Sequence, residues 1–267
     1  MKLTEYMNSF DPGAEATRIE NFIERKQEKI GFQVGVIGLS GGIDSSLTTV
    51  LAKRALGQKI EVVFLPDATT PGRDARDVKS LAKEFQLDVK EIEIGDILSA
   101  MKDKLGTLSE LTVANLKARA RMSILYAIAN ENDGLVIGTG NLSEWLLGYF
   151  TKYGDGAADI APLVHLYKAE VKVMARHLNI PESIISKPPS AGLWDGQTDE
   201  EELGGSYEDI DRILYLNHDL NYTPDRTKAE LGVDPGFVED VYAMVNNSTH
   251  KREEPAGISR NQVETQQ

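Results

Sequence analysis

The chain is 267 residues long and carries 29 Lys plus Arg against 42 Asp plus Glu, a formal charge of −13 with neutral histidines, which argues against a nucleic-acid groove. It contains no cysteine, so disulfides, thiolate metal sites, cysteine nucleophiles and persulfide chemistry are excluded together. Its 41% hydrophobic and 7% aromatic content fits an ordinary globular protein, and no run of 18 apolar residues supports a membrane span.

The expected elements alternate short β-rich runs with longer helical stretches. Pro12 to Lys29 reads as a helix capped by Asp11, with Ile19, Phe22, Ile23 and Ile30 on one face. Gln33 to Leu39 reads as a buried strand, followed by a glycine-rich turn, a helix near Ser45 to Leu56 and a second strand at Ile60 to Leu65. Arg73 to Phe85 suits a helix, Val89 to Ile94 a third strand, Glu110 to Asn130 a long helix and Leu135 to Gly138 a strand after Asp133-Gly134. Strands each followed by a helix predict a parallel sheet covered on both faces. Gly148 to Asp159 and Pro188 to Gly205 are rich in Gly, Pro and acids, and read as irregular candidate lids. From Ser206, a candidate cap, helix returns with Ile210, Ile213, Leu214 and Leu216 as its packing stripe. The expected organisation is one domain over 1–267, ending in a polar tail over 250–267. Met1 to Phe10 lack the apolar segment of a secretory leader, so the expected location is cytoplasmic.

The densest chemical signal is Gly38-Leu39-Ser40-Gly41-Gly42-Ile43-Asp44-Ser45-Ser46, between the first strand and its helix. Glycines let backbone approach an anion, Ser hydroxyls and free helix amides donate to it, and the helix dipole favours its charge. This is a phosphate cradle. It lacks the lysine of the P-loop pattern, which weakens the case for γ-phosphoryl transfer. Asp44, an acid at an anion site, makes sense as a ligand of a hard cation such as Mg²⁺ held against the phosphates; the plain alternative is that Asp44 or Ser45 only caps the helix.

The string resembles the PP-loop family of ATP pyrophosphatases, which split ATP between its α- and β-phosphates and activate a substrate by adenylation. Further strings in the same order, Asn115 to Met122, Ile137 to Glu144, Gly148 to Gly156 and Lys187 to Leu193, are similar to those of ammonia-dependent NAD synthetases over roughly residues 10–255. The resemblance implies an α/β, doubly wound, mainly parallel five-stranded sheet with helices on both faces, of the adenine nucleotide alpha hydrolase-like kind, working as a homodimer. It also implies ATP, deamido-NAD and ammonia as substrates, with Mg²⁺ as cofactor. Members that use glutamine carry an extra cysteine-containing amidase domain, and this chain has no thiol.

Carried onto this sequence, the resemblance has Gly38, Leu39, Ser40, Gly41, Gly42, Ile43, Asp44 and Ser45 wrap the ATP phosphates and Thr139, Lys168 and Ser190 contact ATP. Asp44 and Glu144 hold Mg²⁺. Arg119, Lys152, Asp159, His250 and Lys251 contact deamido-NAD, and Lys187 reaches the phosphates once its loop closes. Asp44, Lys168 and Lys187 form the catalytic set, and Asp159 is a speculative base for the ammonia step. Simpler readings stand beside these: Glu144 as a first-turn acid favoured by the dipole, Lys152 and Asp159 as solvated charges, and His165, His177 and His218 as ordinary histidines. Arg119 and Arg121 lie two apart on a helix and so point in different directions. Two rival functions are a subunit of another PP-loop ligase, such as the ATP pyrophosphatase of GMP synthetase, and a nucleotide sensor without chemistry. The sensor predicts the loss of an acid such as Asp44 or Glu144, and both are present.

Overall fold

A computed structural model describes residues 7, 9–190, 192, 196 and 198–257. Its elements in chain order are α1 Pro12–Ile30, β1 Gly35–Gly38, α2 Ile43–Leu56, β2 Ile60–Phe64, α3 Gly72–Glu84, β3 Val89–Glu91, α4 Gly95–Leu105, α5 Glu110–Glu131, β4 Leu135–Val136, α6 Leu142–Leu147, α7 Lys168–His177, α8 Glu182–Ile185, α9 Asp199–Leu203, α10 Tyr207–His218, α11 Pro224–Leu231, α12 Pro235–Asn247 and α13 Thr249–Arg252. The sheet is wholly parallel in the order β3-β2-β1-β4. Among the described residues no helix is long and apolar enough to cross a membrane.

Alternation along the strands builds two cores. Ile37, Val62, Phe64 and Ile137 face Ile19 and Ile23 of α1, Leu47 and Leu51 of α2, Leu81 of α3 and Met174 of α7. Their neighbours Val36, Val63, Leu65 and Val136 face Leu98 of α4 and Ala120 and Ala129 of α5. Both faces are therefore buried, as a parallel sheet requires. A third cluster joins Leu146 and Leu147 of α6 to Ile210, Ile213 and Leu214 of α10 and Val238 and Val241 of α12.

The expected helix starts hold locally. Asp11 accepts the amides of Gly13 and Ala14, and Ser206 accepts that of Asp209. Ile30 is a correction: it is 54% exposed, because Gly31 in the left-handed region ends α1 about two turns beyond Ile23, the last buried residue of the stripe. Helices α4, α7 and α8 have no counterpart in the expectations, and α9 lies inside the stretch expected to be irregular. The other expected lid, 148–159, lacks regular structure but is fastened: Thr151 Oγ1 donates to Asn115 Oδ1 (2.8 Å), and Lys251 Nζ donates to the carbonyls of Gly148 (2.6 Å) and Phe150 (2.8 Å). The expected tail begins later than 250, since 249–252 is helical and Arg252 donates to the carbonyls of Leu146 and Val245 (both 2.7 Å). Residues 258–267, with Ala191 and Leu193 of the fifth motif, lie outside the described residues.

Among the described residues the sheet has four strands in place of the expected five. In the fifth place stands one parallel bridge, Ile137 to Ile160, in which Ile160 N–H donates to the Val136 carbonyl and Gly138 N–H to the Ile160 carbonyl. The next donor in that ladder is residue 162, a proline, which has no amide hydrogen. The outward amide of Val136 donates instead to Asp159 Oδ2 (2.7 Å). Asp159→Ala is expected to leave that buried amide unpaired and to cost about 1–3 kcal/mol in urea unfolding; an unchanged midpoint would show that the carboxylate does not hold the sheet edge.

Candidate active site

Chain order reverses between β1 and β4, because β1 leads to β2 on one side while β4 joins on the other. In open parallel sheets such a switch opens a crevice at the strands' carboxyl ends, between loops that diverge. The two loops here are 39–42 after β1 and 137–141 after β4.

The first loop is a preformed turn. Gly41 has φ +82°, and a Cβ there would lie 2.8 Å from the Asp74 carbonyl oxygen, so the position needs glycine. Ser40 N–H donates to Ser45 Oγ (3.1 Å), the two hydroxyls share a 3.0 Å hydrogen bond, and Gly42 N–H donates to Ser40 Oγ (3.2 Å). Gly42 caps α2 without a side chain, which leaves the start of α2 open to an anion. Leu39 and Ile43 are core side chains, so they offer the cradle only backbone.

Asp44, in the first turn of α2, is met from the second loop. Asn141 Nδ2 donates to Asp44 Oδ1 (2.8 Å), while Asn141 Oδ1 accepts the amide of Glu144 (3.0 Å) as the cap of α6. Glu144 is thus both a capping-box acid and a site residue. Lys168, buried at the start of α7, donates from one ammonium to Asp44 Oδ2 (2.6 Å) and Glu144 Oε1 (2.9 Å), with Tyr207's ring 5.1 Å away. Burial alone would depress the lysine's pKa, but the two carboxylates outweigh it and raise it above the ordinary range. Burial pushes Glu144 the other way, up to about 7, against the pull of Lys168.

Two carboxyl groups share one ammonium, so ionisation of both leaves an excess negative charge, and all the atoms they offer a cation are hard oxygens. Among the described residues no third His, Cys, Asp or Glu completes a metal cluster. That donor set fits Mg²⁺, which is commonly held by one or two carboxylates while phosphate and water complete its shell.

Lys187 is already at the cradle: its ammonium donates to the Gly41 carbonyl (2.7 Å), Asp74 Oδ1 (2.7 Å) and Asp77 Oδ2 (3.3 Å). In this structure the lysine is parked at the turn. Thr139 is half-buried in the loop after β4, and exposed Ser190 accepts the amide of Gly192 (3.1 Å).

Arg119, Lys152, His250 and Lys251 come together around a second feature. Arg119 Nη2 donates to the Lys152 carbonyl (3.3 Å) and Lys152 Nζ to the His250 carbonyl. A cleft of about 300 Å³ is lined by Trp145, Phe150, Lys152, Tyr153 and Lys251, and the Trp145 and Phe150 rings stack at 5.2 Å. Helix α6 links the two places, since Glu144 turns to Lys168 and its neighbour Trp145 lines the cleft. Gly148, at φ +68°, lets the chain leave α6 where a Cβ would meet that of Ser248 at 2.2 Å. Arg121 points elsewhere, to the Leu65 carbonyl (2.9 Å). Asp159 stands apart at the sheet edge. Sequence reasoning missed Asn141, whose only signal is the cap position three before Glu144, and Asp74, Asp77, Tyr207 and Asp211, which carry none.

The family model described as NAD synthase matches residues 15–255. The chain belongs to the NAD synthase family. An NH(3)-dependent NAD(+) synthetase from Thermoplasma volcanium is 44% identical over 90% of this chain and 96% of its own length. The solved NMN synthetase from Francisella tularensis superposes with a TM-score of 0.83 at 34% identity, covering 95% of this chain and all of that one. An NH3-dependent NAD synthetase from Campylobacter jejuni superposes with a TM-score of 0.80 at 31% identity, over 94% of this chain and all of that one.

In this NAD synthase family member the raised pKa of Glu144 has a testable consequence. A carboxyl with a folded pKa near 7 and an ordinary unfolded value near 4.5 binds more protons when folded between those pH values. Its ionisation therefore costs stability progressively from about pH 4.5 to 7. Glu144→Gln has no such cost, so its melting temperature relative to wild type is expected to rise between pH 5 and 8 without ligands. A pH-independent difference would refute the raised pKa.

Proposed function

We propose that this chain amidates deamido-NAD to NAD with ammonia at the expense of ATP, releasing AMP and pyrophosphate, the last step of NAD biosynthesis. The observation that carries this reading is the meeting of Asp44 and Glu144, from the two loops of the switch point, on the single ammonium of Lys168 beside a glycine cradle. Family membership supports the same reading.

A carboxylate resists ammonia because hydroxide, or oxide, is a poor leaving group. The substrate carboxylate oxygen first attacks the α-phosphorus of ATP, forming an acyl adenylate and expelling pyrophosphate; ammonia then displaces AMP. The substrate supplies the nucleophile, so the protein needs none. The residues from Gly38 to Ser45 hold the phosphates, Thr139 and Ser190 contact ATP, and Lys168 and Lys187 stabilise the charge that grows on departing pyrophosphate. Asp44 and Glu144 hold Mg²⁺, which when bound neutralises phosphate charge as a Lewis acid. Lys152 and Lys251, which line the cleft, bind the dinucleotide together with Arg119 and His250, which adjoin Lys152. Asp159 is assigned to the same substrate, although its bond to Val136 gives it a structural duty as well. The chain has no thiol, in keeping with free ammonia as nitrogen donor and a cytoplasmic place of work.

The homodimer belongs to this reading. Ile97, Met101 and Leu105 recur every four residues on α4, and with Leu111 at the start of α5 they leave an apolar face exposed, Leu105 at 61% and Leu111 at 65%. A second copy packing there would cover it. Leu105→Asp with Leu111→Asp is expected to sediment as a monomer; an unchanged sedimentation coefficient would refute this interface.

Incubation with ATP, Mg²⁺, deamido-NAD and ammonium, read by mass, is expected to give NAD and AMP. ADP in place of AMP would overturn the reading. A parallel arm with nicotinate mononucleotide tests the alternative substrate that the name of the Francisella neighbour brings in. Asp44→Asn is expected to fold and to lose most of the turnover; wild-type rates would remove Asp44 from the mechanism.

A further inference from the structure

Lys168 projects from the first residue of α7, where Glu170 Oε2 accepts the amide of Tyr167 (2.7 Å) but leaves the amides of Lys168 and Ala169 to other acceptors. Tyr167 stands at the cap position, makes no side-chain capping bond, and sends its phenol to Asp219. The first amides of a helix lack intrahelical partners, and Lys168 is buried, so their pairing has to come from elsewhere. It comes from two other helices. Ser143 Oγ of α6 accepts the Lys168 amide (2.9 Å), Asp211 Oδ2 of α10 accepts the Ala169 amide (2.8 Å), and Ser143 Oγ donates to Asp211 Oδ1 (2.5 Å). Ser143 and Asp211 are each 0% exposed.

We propose that Asp211 and Ser143 are positioning residues for the adenylation step, supplying from two other helices the acceptors for the first two amides of α7 and so fixing the backbone from which Lys168 reaches Asp44 and Glu144. The inference rests on the role given to Lys168 above. Two oxygens are needed because two donors, a hydroxyl and an amide, converge on one side chain, and the carboxyl group offers one oxygen to each. The helix dipole favours an acid at that end. Asp211 is also flanked by Ile210 and Ile213, fully buried on α10, so the cap is anchored in the third hydrophobic cluster. The same relay fixes α6, because Ser143 adjoins Glu144. Both carriers of the ion pair, Glu144 on α6 and Lys168 on α7, are thereby referenced to α10.

The test compares Asp211→Ala, Ser143→Ala, the double variant and Asp211→Asn with wild type, each checked for folding by circular dichroism and melting. In single turnover with saturating ATP and deamido-NAD, both alanine variants are expected to release pyrophosphate on the order of 10- to 100-fold more slowly, the range seen when a residue that orients a ligating group is lost. The KM for deamido-NAD is expected to stay within about twofold, since the cleft is untouched. The double variant is expected to be no slower than the slower single, because both act through one relay. Asp211→Asn keeps an acceptor for the Ala169 amide but loses the one for the Ser143 hydroxyl, and its rate is expected to fall between those of wild type and Asp211→Ala. Folded alanine variants that release pyrophosphate at the wild-type rate, or that raise KM and leave kcat unchanged, would overturn the proposal. Should Asp211→Ala fail to fold, Ser143→Ala, the loss of one hydroxyl, carries the same test. Failure of wild type to form AMP and pyrophosphate would refute the underlying function instead.

Discussion

A buried lysine held by two acids from opposite loops is the constraint on which the rest of this structure depends. Lys168 cannot be withdrawn from water unless its charge is met, and it is met by Asp44 from the turn after β1 and Glu144 from the helix after β4. Breaking a buried ion pair by removing one member typically costs about 3–5 kcal/mol, so the three elements are locked into one arrangement. The lock leaves a negative excess beside a cradle built for anions. A divalent cation bound with phosphate would resolve that opposition, as the proposed Mg²⁺ role of Asp44 and Glu144 has it.

The fold supplies the lock through topology. Only at the reversal of strand order do two βα loops separate enough to admit a nucleotide while keeping their side chains within reach of one ammonium. Gly41 brings the first loop against Asp74, and Asn141 ties the second loop both to its own helix and to Asp44. The C-terminal helices then act as scaffold: α10 caps α7 through Asp211, and α13 pins the 148–150 segment through Lys251 and closes over the end of α6 through Arg252.

Much of this was legible in the residues. The glycine-rich string after an apolar run announces a phosphate cradle because few side chains tolerate φ near +80° or so close an approach of backbone. The caps at Asp11 and Ser206 were legible because a cap bond spans two or three residues. The fifth strand was misjudged because Pro162 removes a ladder donor only where the partner strand happens to lie. What fastens the 148–159 stretch was not legible, because the groups that hold it, Asn115 and Lys251, are distant in sequence.

From the amino-acid order alone came the alternation of strand and helix, the cradle, the acidic and thiol-free chemistry and the family motifs, all of them written in local spacing. Tertiary structure alone decided which charges meet: Lys168 is 124 residues from Asp44 in the chain, Lys187 is 113 from Asp74, and Asp211 is 68 from Ser143. Spacing along a chain fixes periodicity and turns, whereas the pairing of buried charges follows from which surfaces bury each other, and that is a property of the packed whole.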